Sequence, residues 1–254
     1  MSCPHVVLHV PHSSTLIPSE VRPSLVLSPE ALEREVLAMT DHFTDELFAF
    51  PAAIATTVRF PVSRLVVDPE RFIDDAQERM SAKGMGVIYT RTSEGAALRT
   101  APSAAERAAL LARFYEPHHE TLTSAVRASL EAHGTCLVLD CHSFPARPLP
   151  YEEDQRAARP DICLGTDSFH TPAALRDSAM RAFQNAGFTV ELDRPFAGAL
   201  VPMQFYGRDA RVKALMVEVN RRLYMDEVTG DRLPEFSRLR ERLVEALRLS
   251  GLVG

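Results

Sequence analysis

Short apolar runs rich in β-branched residues recur along this chain and limit the folds that it can adopt. Each run is only a few residues long and is bounded by polar or turn-forming residues. A nearly continuous apolar character is typical of strands in a sheet that is covered on both faces. The predicted strands are Val6–Val10, Ala53–Val58, Arg64–Asp68, Cys136–Asp140, Ile162–Leu164 and Leu215–Val219.

Helical patterns separate these runs and begin with recognisable start signals. Ser103 and Glu106 form a capping-box pattern before a run that reaches about His133. Pro117 is expected to kink or split this run, because proline cannot donate the helical hydrogen bond. The other predicted helices extend from Ser28 and Pro29 to about Phe48, from Thr171 and Pro172 to near Gly187, and onward from Pro234.

Strands that alternate with helices indicate a three-layer α/β fold, with a mostly parallel central sheet and helices on both faces. No linker is rich enough in glycine, serine or proline to divide the chain, so we predict a single domain over residues 1–254. The segment Pro145–Pro160, with four prolines and several charges, is interpreted as a long surface loop. Such loops often form a lid or the wall of a site.

The composition argues against nucleic-acid and membrane partners. The formal net charge is −6, whereas binding to phosphates requires a basic face. No stretch approaches the roughly 20 apolar residues of a membrane-spanning helix. The amino terminus lacks the basic start of a secretory signal. Because Cys3, Cys136, Cys141 and Cys163 form no CxxC pair, we expect buried, reduced thiols in a cytoplasmic protein.

Three of the predicted strands lead to polar residues. His12 follows the first strand, His142 follows Cys136–Asp140, and Glu218 lies within the last strand. Ligands of open α/β sheets bind beyond the carboxyl ends of the strands. Two imidazoles and a carboxylate at these ends match a catalytic zinc site, which keeps one coordination position for water. The alternative is that each histidine is a hydrogen-bonded loop residue.

Two acidic residues compete for the place of third metal ligand. Asp41 lies in a helical pattern, which taken alone favours a solvated acid, whereas Asp140 could orient an imidazole that binds the ion. Glu218 is a separate case, because an unpaired carboxylate is costly to bury in an apolar strand. Glu218 must therefore be paired, protonated or functional, and we favour a functional role.

Arginines near the predicted strand ends indicate an anionic ligand. Arg64 and Arg71 flank one predicted strand, and Arg221 follows Glu218. Arginine pairs bidentately with carboxylates, so an anionic amino-acid derivative is a natural ligand. Salt bridges that hold the sheet edge are an equally good interpretation of each arginine.

Adjacent histidines on the long predicted helix cannot both face one site. Their directions differ by about 100° on a helix. We take His119 as a candidate substrate contact and predict that His118 lies on the surface.

Seven motifs occur in an order that resembles one enzyme family. From the amino terminus they are HVPHSSTLIP, SRLVVDPERF, FYEPHHETL, LVLDCHSFP, LGTDSFHTP, RPFAGALVP and MVEVNRRLYM. They span nearly the whole chain, and the ordered set is far more specific than any single motif. The chain resembles the N-formylglutamate amidohydrolase (deformylase) family, whose fold is similar to that of zinc carboxypeptidases, phosphorylase/hydrolase-like proteins and aspartoacylases.

The resemblance implies one divalent metal ion, expected to be Zn²⁺, bound by His12 of PHSS, Asp41 of TDHF and His142 of DCHS. It implies that Glu218 is the general base. Substrate contacts are expected from Arg64, Arg71, His119, Ser143 and Arg221, with Arg64 and Arg71 holding substrate carboxylates.

The implied reaction is metal-dependent hydrolysis of N-formyl-L-glutamate to formate and glutamate, a step of histidine degradation. Three departures lie near the expected pocket. Glu70 stands where the family more often has asparagine, Ser14 stands where glycine is common, and RPFAGALVP lacks the usual paired glycines.

These departures leave other functions open. The closest alternatives are a deacylase of another N-acyl amino acid and a carboxypeptidase-like hydrolase of small peptides. A non-catalytic anion-binding module of the same fold is the alternative from another class. The sequence leaves the oligomeric state open.

Overall fold

One six-stranded sheet organises residues 5–254, which are the residues that the computed structural model describes; Cys3 lies outside them. Its strands are β1 (His5–Val10), β2 (Ala55–Arg59), β3 (Cys136–Phe144), β4 (Ile162–Gly165), β5 (Val190–Leu192) and β6 (Val212–Asn220). Their spatial order is β2-β1-β3-β6-β4-β5. Neighbouring strands are parallel except β4 and β6, which are antiparallel. The prediction of a mostly parallel sheet is confirmed.

Helices cover both faces of this sheet. They are α1 (Pro29–Met39), α2 (Thr44–Leu47), α3 (Ala104–Leu110), α4 (Glu116–His133), α5 (Ala173–Asn185) and α6 (Phe236–Leu249). Alternate residues of β1 point to opposite faces. Val6 and Leu8 therefore pack with residues of α5 and α6, whereas Val7 packs with residues of α4. The three-layer architecture is confirmed.

The prediction of a strand at Arg64–Asp68 is wrong. Arg64 begins a turn in which the Val66 amide donates to the Ser63 carbonyl at 2.9 Å. The run is apolar because its side chains are buried outside the sheet, where they pack with residues of the 85–98 segment. An apolar run indicates only that its side chains are buried, and here loops outside the sheet bury them. The strand β5, which is only half-buried, was not predicted.

The helix predicted to reach Phe48 ends instead at Met39. Thr40 is extended, and the next short helix begins only at Thr44, after Phe43 in the left-handed region. In this break the Asp41 amide donates to the His12 carbonyl at 3.0 Å. The break therefore ties Asp41 to the loop that follows β1.

The long helical run is split close to the predicted proline. The capping box of Ser103 and Glu106 is present. A π-helical segment at Leu111–Tyr115 then separates α3 from α4, and Pro117 lies in the first turn of α4. Because Pro117 has no amide proton, the carbonyl four residues earlier loses its usual partner, and the wider π turn lies at that place.

The segment Pro145–Pro160 forms no helix or strand. Its two ends are joined by Arg159, which is buried, donates to the Pro145 carbonyl at 3.0 Å and pairs with the buried Glu152. A buried charge needs a partner of this kind, because an unpaired one is strongly destabilising. The segment is therefore an anchored loop that is partly buried.

Cysteine burial within residues 5–254 agrees with the sequence analysis. Cys136, Cys141 and Cys163 are buried and free, and burial raises the pKa of the Cys136 thiol to about 11. Among the helices of residues 5–254, none combines the length and the apolar character that a membrane span requires.

Candidate metal centre and substrate pocket

Three buried side chains with the donor set of a metal centre meet near the end of β1. His12 lies in the loop after β1, Asp41 in the break between α1 and α2, and His142 on β3. Asp41 Oδ2 is 3.1 Å from His142 Nδ1 and 3.6 Å from His12 Nδ1. Donors to one Zn²⁺ lie about 3.3 Å apart, given metal–donor distances of about 2.0–2.2 Å. The spacing therefore fits a shared ion.

The opposite nitrogens of both imidazoles face carboxylates. His12 Nε2 donates to Asp68 Oδ1 at 2.9 Å, and His142 Nε2 lies 3.1 Å from Asp140 Oδ1. Such contacts orient a ring so that Nδ1 is the ligand atom. His12 Nδ1 is buried and has no hydrogen-bond partner among the described residues, which fits a ligand to a divalent ion. Asp41 thus faces the Nδ1 atoms, and Asp140 faces the other side of His142.

Arg221, a predicted substrate contact, supports the candidate metal centre from behind Asp41 and also contacts Ser143, another predicted substrate contact. Arg221 Nη2 donates to Asp41 Oδ1 at 2.9 Å and Nη1 donates to the Ala38 carbonyl at 2.6 Å. Arg221 Nε donates to Ser143 Oγ at 3.2 Å. Burial opposes ionisation of Asp41, but its contacts with His12 and His142 and the Arg221 charge outweigh burial and hold the Asp41 pKa well below its usual range. Arg221 therefore keeps Asp41 charged and oriented.

Asp68 is a site residue that the sequence analysis did not identify. Its Oδ2 accepts hydrogen bonds from Arg64 Nη2 at 2.8 Å and from Tyr89 Oη. Burial opposes its ionisation, but the Arg64 charge and the contact with His12 outweigh burial and hold the Asp68 pKa well below its usual range. Arg64, predicted to bind substrate, is thus engaged by an internal carboxylate. Arg64 and Asp68 are the two ends of the segment that was wrongly predicted to be a strand.

Arg71 differs from Arg64 because its guanidinium is only loosely paired. Arg71 Nε is buried without a hydrogen-bond partner among residues 5–254 and lies 3.7 Å from Asp68 Oδ2. Its side chain, 21% exposed, lines the same cavity as His12 and Glu218. Of the three predicted arginines, Arg71 is the one whose donors stay available to an incoming anion.

Glu218 lies beside the candidate metal centre. It is paired in register with His142 across the β3–β6 ladder, and one of its oxygens is buried without a described partner. Burial raises the Glu218 pKa to about 8; the His142 charge opposes this effect and the Asp41 charge adds to it. A carboxyl whose pKa is raised by burial is a candidate for proton transfer.

A single cavity of about 1020 Å³ joins these groups. Its lining includes residues of β3 and β6, of the anchored loop 145–160 and of the segment 193–197. Its acidic and basic lining suits a small charged ligand. The lining includes His12, Asp41, Arg64, Glu70, Arg71, His142, Ser143, Glu218 and Arg221.

The prediction that His118 lies on the surface is wrong. His118 is 5% exposed, and its Nε2 lies 2.9 Å from His9 Nε2. Burial, with a smaller effect of the His9 charge, lowers the His118 pKa to about 2. The neighbouring His119 ring, whose centroid is 5.7 Å from that of His118, donates from Nε2 to the Pro69 carbonyl at 2.9 Å and does not line the cavity.

The sequence analysis also did not identify His9 as a site residue. The apolar alternation of β1 could have assigned it to the face opposite Leu8, which is the face that α4 covers.

The chain has relatives of known family. Residues 4–225 match the family profile described as N-formylglutamate amidohydrolase. The chain is 28% identical over 232 residues to the N-formylglutamate deformylase of Pseudomonas aeruginosa, and the match covers 87% of this chain and 82% of that protein.

Solved structures with this fold include two close matches. The crystal structure of N-formylglutamate amidohydrolase from Ralstonia eutropha matches with a TM-score of 0.83 and 26% identity, covering 97% of this chain and 93% of that one. A gene product of Agrobacterium tumefaciens matches in fold with a TM-score of 0.67 and 22% identity, covering 96% and 90% of the two chains. With the profile match over most of its length, the chain belongs to the N-formylglutamate amidohydrolase family.

Proposed function

We propose that the protein hydrolyses the amide bond of N-formyl-L-glutamate, a small anionic N-acyl amino acid, to formate and glutamate. The observation that supports this most directly is the position of Glu218, whose partly unpartnered carboxyl is paired in register with His142 of the candidate metal centre. Family membership and the names of the Pseudomonas and Ralstonia relatives support the same substrate. The cytoplasmic location and the role in histidine degradation stay predictions.

We infer that His12, Asp41 and His142 hold one divalent ion, expected to be Zn²⁺. Two imidazoles, one carboxylate and space for water are the donor set of hydrolytic zinc sites. When bound, the ion supplies Lewis-acid polarisation of an acyl carbonyl and acidification of water. His12 and His142 would bind through Nδ1 and Asp41 through Oδ2, because these atoms converge.

Glu218 is the residue that we infer moves the proton. Water adds to the formyl carbon while Glu218 accepts one of its protons. The carbon–nitrogen bond then breaks, and Glu218 delivers that proton to the leaving amine nitrogen. One water is consumed, and formate and the free amino acid leave.

Arg71 is the residue that we infer binds a substrate carboxylate, since its donors are not taken up within the protein. The other four predicted contacts have internal partners. Arg64 holds Asp68, Arg221 holds Asp41, Ser143 accepts a hydrogen bond from Arg221, and His119 holds the backbone at Pro69. We infer that these residues position the site.

Replacement of Arg71 by methionine is expected to raise KM for the anionic substrate more than it lowers kcat. A charge-assisted hydrogen bond contributes about 1.5–3 kcal/mol, which corresponds to roughly a 10- to 100-fold loss of kcat/KM. Steady-state kinetics measures the split. The matched control is Arg79→Met, which removes an 83% exposed arginine from the same cavity and should change KM little. An unchanged KM in Arg71→Met would assign the carboxylate to another residue.

A deacylase of a larger N-acyl amino acid is the second candidate, because the cavity of about 1020 Å³ exceeds the space that a formyl group and glutamate fill. Turnover of N-formyl-, N-acetyl- and N-butyrylglutamate, with short peptides as a further arm, separates the candidates. We expect the formyl substrate to have the highest kcat/KM. A preference for a longer acyl group or for a peptide would overturn N-formylglutamate as the substrate.

A further inference from the structure

A second convergence of ligand atoms lies beside the candidate metal centre. His9 Nδ1 on β1 is 2.8 Å from Asp140 Oδ1 on β3 and 3.2 Å from Glu70 Oε1 in the turn after Asp68. All three atoms lie within 4.8 Å of one another. These are different atoms from the donors of the His12–Asp41–His142 centre.

Hydrogen bonding within the protein does not satisfy this group of atoms. The one proton that His9 Nδ1 can hold points to a single acceptor, and Asp140 Oδ1 lies at hydrogen-bond distance. Glu70 Oε1 is left buried with no hydrogen-bond partner among the described residues. A buried acceptor without a partner is costly. A cation at the centre of the three atoms contacts all of them, whereas a proton satisfies one.

The remaining polar atoms of His9 and Asp140 are held from outside the cluster. His9 Nε2 lies 2.9 Å from Nε2 of His118, so a proton on His9 Nε2 has an acceptor there and the Nδ1 lone pair stays free. Asp140 Oδ2 accepts from the Leu200 amide at 3.0 Å. Outer contacts of this kind orient the ligands of metal ions in proteins.

His142 adds an independent observation. Its side chain is 5% exposed, and its Nε2, which makes no hydrogen bond of good geometry, lies 3.4 Å from Glu70 Oε2 and 3.1 Å from Asp140 Oδ1. A buried nitrogen thus points at the two carboxylates from the side of the first centre. Because His142 Nδ1 faces Asp41, Nε2 carries the ring proton and is not a ligand of this cluster, whose ligand atoms are those of His9, Glu70 and Asp140.

We propose that His9, Glu70 and Asp140 bind a second divalent transition-metal ion through Nδ1, Oε1 and Oδ1. One imidazole with two carboxylates suits Zn²⁺, Mn²⁺ or Co²⁺. The separations of 2.8 and 3.2 Å are near the roughly 3.3 Å that separates donors around one such ion. This inference does not require the proposed substrate. The alternative is that His9 is protonated and pairs with the two carboxylates, with no ion bound.

Metal stoichiometry tests this inference without measuring activity. The full chain is stripped with a chelator, titrated with Zn²⁺ alone and dialysed at fixed free Zn²⁺ before elemental analysis; Co²⁺ absorption spectra give a second readout. We expect two equivalents in the wild-type protein and one in Glu70→Gln, which keeps the side-chain shape and removes the charge. Glu153→Gln, an exposed glutamate of the same cavity, is the matched control and should bind two.

Two further variants make the outcome decisive. His9→Asn removes another ligand of the second site and should also bind one equivalent, so misfolding of one variant leaves the other to decide. His12→Ala should lose the equivalent that binds at the first centre. Binding of two equivalents by His12→Ala would contradict the first centre and would not bear on the second site. Saturation of the wild-type protein at one equivalent, or two equivalents in Glu70→Gln and His9→Asn, overturns the second site.

Discussion

Glu218→Gln is expected to lower kcat by a factor of about 10²–10⁴, which is the range that general acid–base catalysis contributes. The amide has the size of the carboxyl but cannot accept and return the proton. Because Glu218 is not among the inferred metal ligands, metal content should stay at the wild-type value. Steady-state kinetics and elemental analysis on one preparation measure both quantities. This change tests the proposed mechanism most directly.

Glu153→Gln is the matched control for this prediction. Glu153 lines the same cavity, but its side chain is 64% exposed and pairs with Arg79 at the surface. Its replacement should leave kcat within about twofold, as expected for an exposed pair. A non-catalytic anion-binding module would instead show no turnover in the wild-type protein and unchanged ligand affinity in Glu218→Gln. Retention of most of the activity in that variant contradicts the role of Glu218.

His12→Ala is expected to bind one equivalent of Zn²⁺ less than the wild-type protein and to lose activity by a factor of about 10³ or more. Lewis-acid stabilisation of the transition state is worth several kcal/mol, and each 1.36 kcal/mol is tenfold in rate. Chelation of the wild-type protein should have the same effect. Added Zn²⁺ should restore the wild-type protein and not the variant.

His133→Ala is the control for loss of an imidazole, because His133 is exposed in the last turn of α4. It should keep both its metal content and its rate. Full activity of the chelated wild-type protein, confirmed as metal-free by elemental analysis, would contradict metal dependence. Loss of activity in His12→Ala with unchanged metal content would move the centre to other ligands.

Several features of the fold follow from local pattern, because burial and helix capping are written into neighbouring residues. The apolar runs around Val7, Val138 and Val217 became strands. The capping box at Ser103 began a helix as predicted. The strand prediction for Arg64–Asp68 was wrong because an apolar run indicates only that its side chains are buried. Here loops outside the sheet bury them.

The candidate site could be predicted in its residue types but not in its contacts. His12, His142 and Glu218 were found from their places in the strand pattern, and Asp41 only from family likeness. Asp41 is 101 residues from His142 and 180 from Arg221 in the chain, and both contact it. No local pattern contains such pairs.

The amino-acid sequence by itself determined an α/β fold and polar residues at the ends of buried strands, because periodicity and capping act over a few residues. Tertiary structure alone decided which nitrogen of each imidazole faces Asp41, which arginine stays free and that His118 is buried beside His9. The physical reason is that the register of β3 against β6 and the break after α1 set these distances. Strand register and loop course depend on the packing of the whole sheet.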